Sequence, residues 1–338
     1  MAVTIKDIAR IAGVAHSTVS RALRGHPAIA PETVARIKQI ADELGYVPSA
    51  VARGLKTSRS NALGVIISRI DDPFFSEILQ GIEDETQAAG YSLFVAASNR
   101  DFEREKSIVQ AMGERRVEGV IVCSGHLGSD HARQLQQYGI PLVAVDNQAL
   151  DDYQFSISHD HFFGSSRLTQ HLIDLGHTRI AYLGNQRSGR TTQERLNGYR
   201  HTMQTAGLPL PDGYIFDGPD GRPESGVLAA QHFLGLPQRP TAIVCFNDMM
   251  AIGLMRALQD AGLTIPQDCS LTGFDNITFS AYTNPTLTTF EQPKYELGYT
   301  ATRMMMSILQ DPNTQPDPQT ITLRGRLIPR ASTGAPFQ

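Results

Sequence analysis

Carboxylates and amides gather where β-rich runs end: Asp71-Asp72-Pro73-Phe74-Phe75, Asp146-Asn147, Asn247-Asp248 and Asp275-Asn276. Such groups in pairs can grip vicinal hydroxyls, and the two phenylalanine faces suit the C–H faces of a sugar ring. Asp and Asn also favour strand-end turns for backbone reasons, so each one singly reads as structural. The collection points to a polar small-molecule cleft. A second chemistry lies near the N-terminus, where Val14–Leu23 reads VAHSTVSRAL. The polar groups His16, Ser17 and Thr18 open a helical pattern with Val19, Ala22 and Leu23 on one side, Arg21 one turn on, and no acid. Phosphates repel Asp and Glu, whereas short polar side chains and one long Arg can approach base edges and backbone together.

Other candidate motifs carry less. GNQRSGRT, Gly184 to Thr191, follows a strand and precedes a helix, one residue away from a phosphate-binding P-loop. Arg190 stands where that loop needs Lys, and no convincing second-site acid for magnesium is in view, so nucleotide hydrolysis is not expected. His159-x-His161 lacks a third ligand and reads as a crossover or surface pair, not a metal site. Cys123, Cys245 and Cys269 are far apart and form no CxxC pair, which predicts three reduced core residues. With no Ser–His–Asp motif, metal set, GxGxxG or intact P-loop, neither an enzyme nor a cofactor is expected.

The elements that must position these residues fall into two compositional parts. Residues 1–60 hold nine Lys/Arg and four acids, a net charge of +5, which leaves −9 for the rest of a 338-residue chain whose total is −4. A basic head on an acidic body suggests that the head meets a polyanion. Within it, Ile5, Ile8, Ala9 and Ala12 mark a first helix, with Thr4 and Asp7 as an Asp variant of the capping box and Gly13 at its end. The VAHSTVSRAL helix follows after a three-residue turn. Val34, Ile37, Ile40, Ala41 and Leu44 mark a third, with Pro31 in its first turn and Gly45 at its end. Two short helices around a Gly-containing turn form a helix-turn-helix, whose second helix enters the major groove. SAVARGL, from Ser49, follows Pro48 and is too short for a stable helix by itself.

From Ala62, nine apolar runs alternate with helical stretches such as Phe75–Ala89 and Ser165–Leu175: LGVIIS, YSLFVAAS, EGVIVCS, PLVAVDN, FSISHD, RIAYLGN, YIFDG, TAIVCFN and SLTGFD. That alternation predicts an α/β body of parallel sheets covered on both faces, in two lobes, with ligands beyond the C-terminal strand ends. No apolar run reaches about 18 residues, so no membrane span is expected. The periodic, charged N-terminus lacks a signal-peptide core, which predicts a cytoplasmic protein.

TIKDIARIAGVAHSTVSRALRG and LGYVPSAVARGLKT closely resemble the N-terminal module of the LacI/GalR family of bacterial transcription regulators. The likeness continues through HFFGSSRLTQHLIDLGHTRIAYLG, RPTAIVCFNDMMAIGLMRAL, SLTGFDNITFS, PTLTTFEQP and LIPRAST. It implies a helix-turn-helix head over residues 1–48, a hinge helix and linker over 49–61, and a two-lobed periplasmic-binding-protein-like core. The first lobe would comprise 62–160 and 293–320, the second 161–292 and 321–338, with crossovers near 160, 292 and 321. By the same resemblance His16, Ser17 and Arg21 read bases, and Thr18 and Tyr46 hold phosphates. Leu55, with Ala52 and Lys56 beside it, wedges into the minor groove from paired hinge helices. Ala15 and Ala30 depart from the family, which often has Ser at these caps. Phe74, Arg195, Asn247 and Asp275, with Asp72 and Phe75, match effector-binding positions.

The implied partners are a pseudo-palindromic operator in double-stranded DNA, a small-molecule effector of the sugar or sugar-derivative class, and a second copy of the chain. The expected function is repression of carbohydrate uptake or catabolism genes, with effector binding either releasing or promoting DNA binding. The alternatives are a sugar-binding protein or a sugar-converting enzyme with a fused DNA-binding head.

Overall fold

The computed structural model describes residues 3–46, 60–123, 129–146, 153–310 and 317–337. The chain divides into two compact units, Met1–Ser60 and Asn61–Gln338. In the first, α1 (Ile5–Ala12), α2 (His16–Ala22) and α3 (Pro31–Glu43) enclose a small core. Ile8, Val19, Ala22 and Ile37 are fully buried there. The backbone N–H and hydroxyl of Thr4 both donate to Asp7 Oδ2, at 3.0 and 2.7 Å, fixing the start of α1. Gly13 ends it at φ 66°, a left-handed conformation that glycine adopts at little cost. Ala15 and Ala30 are the N-caps of α2 and α3, and neither offers a side-chain bond. Relative to Ser, each such cap costs about 0.5–2 kcal/mol. Residues 47–59, and with them the expected hinge positions Ala52, Leu55 and Lys56, lie outside the described residues.

The second unit holds two parallel sheets. The first has the order β11-β5-β4-β3-β1-β2, with β1 (Ala62–Ile67), β2 (Ser92–Ala97), β3 (Gly119–Cys123), β4 (Leu142–Val145), β5 (Phe155–His159) and β11 (Gln319–Leu323). Side chains alternate across a strand, and β1 uses both faces. Leu63, Val65 and Ile67 join a core with α4 (Phe74–Ala88) and α11 (Lys294–Gln310). Ala62 and Ile66 join the opposite core, with α5 (Phe102–Glu114) and α6 (Ser129–Gln137). The second sheet runs β7-β6-β8-β9, with β6 (Ile180–Asn185), β7 (Ile215–Gly218), β8 (Ala242–Cys245) and β9 (Ser270–Thr272). It is covered by α7 (His161–Asp174) and α8 (Gly189–Thr205) on one face. On the other lie α9 (Pro223–Leu234) and α10 (Asp248–Asp260). All nine strands expected from the apolar runs are present.

One element was not among the expected strands: a short antiparallel pair, β10 (Thr289–Glu291) with β12 (Arg326–Ile328), forms a small third sheet. The chain leaves the first sheet after Leu323, where β11 ends its parallel register with β5 at the pair Leu323–His159. Among the described residues, no helix is long and apolar enough to cross a membrane. Cys123, Cys245 and Cys269 are free and buried.

Candidate functional site

The carboxyl ends of both sheets open on one cleft of about 580 Å³. Asp72, Phe74, Phe75, Arg195, Asn247 and Asp275 all line it. Arg195, on α8, has the most constrained side chain. It is 4% exposed, and its guanidinium carbon lies 3.7 Å from the Phe274 ring centre and 4.5 Å from that of Phe246. Its Nη1 donates to the Phe246 carbonyl at 2.5 Å, and Nη2 lies 3.7 Å from Asp275 Oδ1 and 3.3 Å from His161 Nδ1. Burial pushes the guanidinium below its ordinary pKa, against the pull of Asp275. Two aromatic faces and fixed acceptors leave it one orientation.

Asp275 occupies a backbone conformation that few residues other than glycine tolerate, φ 119°. Three bonds hold it there. Its N–H donates to the Phe290 carbonyl at 2.9 Å, its carbonyl accepts from Lys294 Nζ at 2.6 Å, and its Oδ1 accepts from Gln292 Nε2 at 2.6 Å. Burial raises its carboxyl well above the ordinary range, with Arg195 opposing. Lys294 is itself buried at the start of α11, and its Nζ lies 3.2 Å from Glu77 on α4. One ammonium group thus ties the Asp275 backbone, beyond the second sheet, to a helix of the first.

Asn247 and Asp248 are neighbours with different roles. Asn247 caps α10, accepting from the Met250 N–H at 2.8 Å, while its Nδ2 donates to the Gly221 carbonyl at 3.0 Å. It also faces the cleft. Asp248 is fully buried and accepts from Ile277 N–H and Thr289 Oγ1, an internal brace with no share in the cleft lining. Asp72 Oδ1 accepts from the Phe74 N–H at 3.1 Å at the entry to α4. Burial raises the Asp72 carboxyl, against the Phe74 amide and the charges of Arg69 and Arg100.

His159 and His161 are both buried at the passage between the sheets, not at the surface, with ring centres 5.1 Å apart. His161 Nε2 lies 3.4 Å from Asp146 Oδ1, which also accepts from the His159 N–H at 2.9 Å. Burial by itself raises the Asp146 carboxyl, but the two imidazoles and the His159 amide outweigh it and hold the group below the ordinary range. Among the described residues no group of three His, Cys, Asp or Glu side chains is placed to hold a metal ion. The GNQRSGRT loop contributes Asn185, Arg187, Ser188 and Thr191 to the cleft. Arg69, Arg100, Arg187 and Arg222 line it too, and the residue-type reading passed over them. The signal was their position, just beyond the ends of β1, β2, β6 and β7.

On the head, His16, Ser17 and Arg21 are exposed along one side of α2, while Thr18 and Tyr46 are half-buried. Tyr46 packs on the head core. Arg24 turns back, with Nε donating to the Ser20 carbonyl at 2.8 Å. Arg21 has no side-chain partner among the described residues. The first turn of α2 carries no acid.

Comparison with known proteins agrees with both parts. Residues 4–49 match the family described as bacterial regulatory proteins, lacI family. Residues 60–330 match the periplasmic binding proteins and sugar binding domain of the LacI family. The HTH-type transcriptional repressor PurR of Actinobacillus pleuropneumoniae serotype 3 (strain JL03) is 35% identical over 329 residues, 97% of this chain and 98% of that protein. The lac repressor dimer bound to operator and the anti-inducer ONPF superposes with a TM-score of 0.86 at 27% identity, covering 99% of this chain and all of the other. A complex of the transcriptional regulator CelR with cellobiose gives a TM-score of 0.74 at 26% identity, covering 98% and 99%. A helix-turn-helix head, two sheets opening on one polar cleft and matches along nearly the whole length place the chain in the LacI family of bacterial transcription regulators, as a DNA-binding, ligand-controlled repressor.

Proposed function

We propose that this repressor controls carbohydrate uptake or catabolism genes and that a sugar in the cleft sets its affinity for the operator. The observation that carries this reading is the convergence of Asp72, Phe74, Phe75, Arg195, Asn247 and Asp275 on one cleft of about 580 Å³. Carboxylates and an amide beside aromatic faces suit a ring that carries hydroxyls on its rim and C–H groups on its faces. The cellobiose bound to CelR supports a saccharide. Asp275 and Asn247 accept and donate to hydroxyls, Arg195 donates from below, and Phe74 and Phe75 pack on the ring.

A homodimer binds a pseudo-palindromic operator. His16, Ser17 and Arg21 of each copy read base edges, Thr18 and Tyr46 hold phosphates, and Ala52, Leu55 and Lys56 act in the minor groove at the centre. Closure of the lobes on the sugar favours one of two arrangements, and the sign of control follows from which arrangement binds DNA. Phe74, Phe75 and Phe246 also suit a flat heterocycle, which is the second reading.

The test is binding of the full chain to its operator across a salt series, with a panel of sugars, sugar derivatives and nucleobases. The sugar reading expects one saccharide to shift operator affinity and to raise thermal stability without being consumed. A nucleobase doing so instead would replace the sugar, and turnover of a bound saccharide would replace the repressor by the enzyme.

A further inference from the structure

The arginines of the cleft are not equivalent. Arg69 lies 2.8 Å from Asp71, Arg222 lies 3.8 Å from the same Asp71, and Arg195 lies 3.7 Å from Asp275. Arg100 and Arg187 have no carboxylate within ion-pair distance among the described residues. They come from opposite sides of the cleft, Arg100 after β2 of the first sheet and Arg187 after β6 of the second. Arg100 already reaches across, its Nη1 donating to the Arg187 carbonyl at 2.5 Å and its Nη2 to Ser188 Oγ at 3.4 Å. Its Nε is buried with no hydrogen-bond partner among the described residues.

The backbone behind Arg100 is constrained as well. Asn99 and Arg100 are both left-handed, at φ 55° and 57°. Asn tolerates that conformation, but Arg does so only where its surroundings hold it, and such strain clusters at ligand clamps. Burial lowers the pKa of the Arg100 guanidinium; Asp72 and Asp220 oppose that effect, while Arg69 and Arg187 add to it. A neutral ligand would leave two guanidinium-bearing residues facing each other across a closing cleft. An oxyanion would sit between them and accept from both, since the planar guanidinium fork matches carboxylate and phosphate oxygens. The N-terminus of the 17-residue α8 begins beside Arg187 and adds its positive end to the same place.

We infer that the effector is an anionic sugar derivative, whose phosphate or carboxylate group binds between Arg100 and Arg187 and draws the two lobes together. This rests on the reading of the cleft as a sugar site. The GNQRSGRT loop thereby acquires a purpose, since it binds an oxyanion on the effector without the lysine and magnesium that nucleotide hydrolysis would need.

The test uses matched trios of hexoses and pentoses, each as the neutral sugar, its phosphate and its uronic or aldonic acid, titrated calorimetrically into the full chain. Arg187 is exposed, so Arg187→Gln is the deciding variant; Arg100→Gln is a second. The expected result is that an anionic member binds at least about tenfold tighter than its neutral parent, and that Arg187→Gln removes this preference, bringing the two affinities to within about twofold of each other. The phosphate and acid arms separate the two sources of the anion. A neutral sugar binding as tightly as its anionic forms, or an anion preference that survives in Arg187→Gln, overturns the inference and leaves the sugar reading standing. No binding by any trio member, in protein that still binds operator, overturns the sugar reading and this inference with it.

Discussion

Helix α2 of the head and the floor of the cleft both carry an arginine, in opposite surroundings. Arg21 stands exposed on α2 with no described partner, and the core beneath it is built from residues such as Ile8, Val19 and Ile37. Arg195 is 4% exposed, sandwiched by Phe246 and Phe274 and bonded on its edges. A charge that must meet a polyanion is left in water, where its contribution comes largely from displaced counterions and falls as salt rises. A charge that must orient a small ligand is held in place beforehand, inside the protein, where it is costly to leave unpaired. The head can therefore lose Arg21 and remain folded, whereas the core cannot lose Arg195 cheaply.

The largest effect that tests this contrast is on stability. Arg195→Ala empties the space between Phe246 and Phe274 and leaves the buried Phe246 carbonyl, His161 Nδ1 and Asp275 without their guanidinium donor, and should destabilise the core by about 3–5 kcal/mol. Denaturant titration of the variant checks it, and a loss below about 1 kcal/mol would mean that the cleft floor relaxes as freely as a surface.

A second effect is on acid sensitivity. Burial pushes the His159 imidazole down to about 3, from an ordinary 6.5. The unfolded chain binds this proton more readily than the folded one. The stabilisation is therefore complete above pH 6.5 and is lost as pH falls towards 3. Between about pH 6.5 and 5 it amounts to about 2 kcal/mol. Among the described residues the His159 ring nitrogens have no hydrogen-bond partner, and the ring packs on Phe274 and Phe290. His159→Leu should thus fold at neutral pH and lose this part of the acid slope. Equal slopes for variant and wild type, in denaturant titrations at both pH values, would show that the imidazole titrates normally.

The smallest effect on folding belongs to the head. Arg21→Ala should change stability by less than about 0.5 kcal/mol. Its expected cost to operator binding is about 1–3 kcal/mol, with relaxed preference at one position of each half-site. An equal loss on specific and random DNA would make Arg21 a phosphate contact.

How much of this was legible in the sequence depends on the length scale of each signal. The central strands could be read because their apolar runs are buried on both faces, as in ALGVII of β1, whereas β2 was legible from its apolar run although Phe94 and Val95 are exposed. TFE of β10 and RLI of β12 span three residues each, too short for any periodicity, and their pairing joins distant parts of the chain. The head was legible to its caps, since Thr4, Gly13, Pro31 and Gly45 act locally.

In the cleft, the strand-end rule located Asp72, Asn247 and Asp275 but could not separate Asn247 from Asp248. The first points to the cleft and the second to Ile277 and Thr289, and that depends on three-dimensional packing. GNQRSGRT reads as a P-loop variant, and no sequence signal pairs its Arg187 with Arg100, which packing brings to the same cleft from the other sheet. His159 and His161 read as a crossover or surface pair, and their burial follows from the aromatic residues Phe274 and Phe290, more than a hundred positions away.

The contrast between head and cleft becomes a mechanism only if the two are linked. Lys294 provides a route inside the core, since its ammonium holds the carbonyls of Asp275 and Asn276 and lies 3.2 Å from Glu77 of α4. The decisive measurement is the operator dissociation constant at fixed salt, with and without the saccharide that stabilises the protein, for wild type and Asp275→Asn. The account predicts that the ligand shifts the wild-type constant by about 5- to 150-fold. It predicts that Asp275→Asn keeps the ligand-free constant and loses the shift. A full shift in the variant, or an unmoved wild-type constant with the cleft saturated, would contradict control of the head through this cleft.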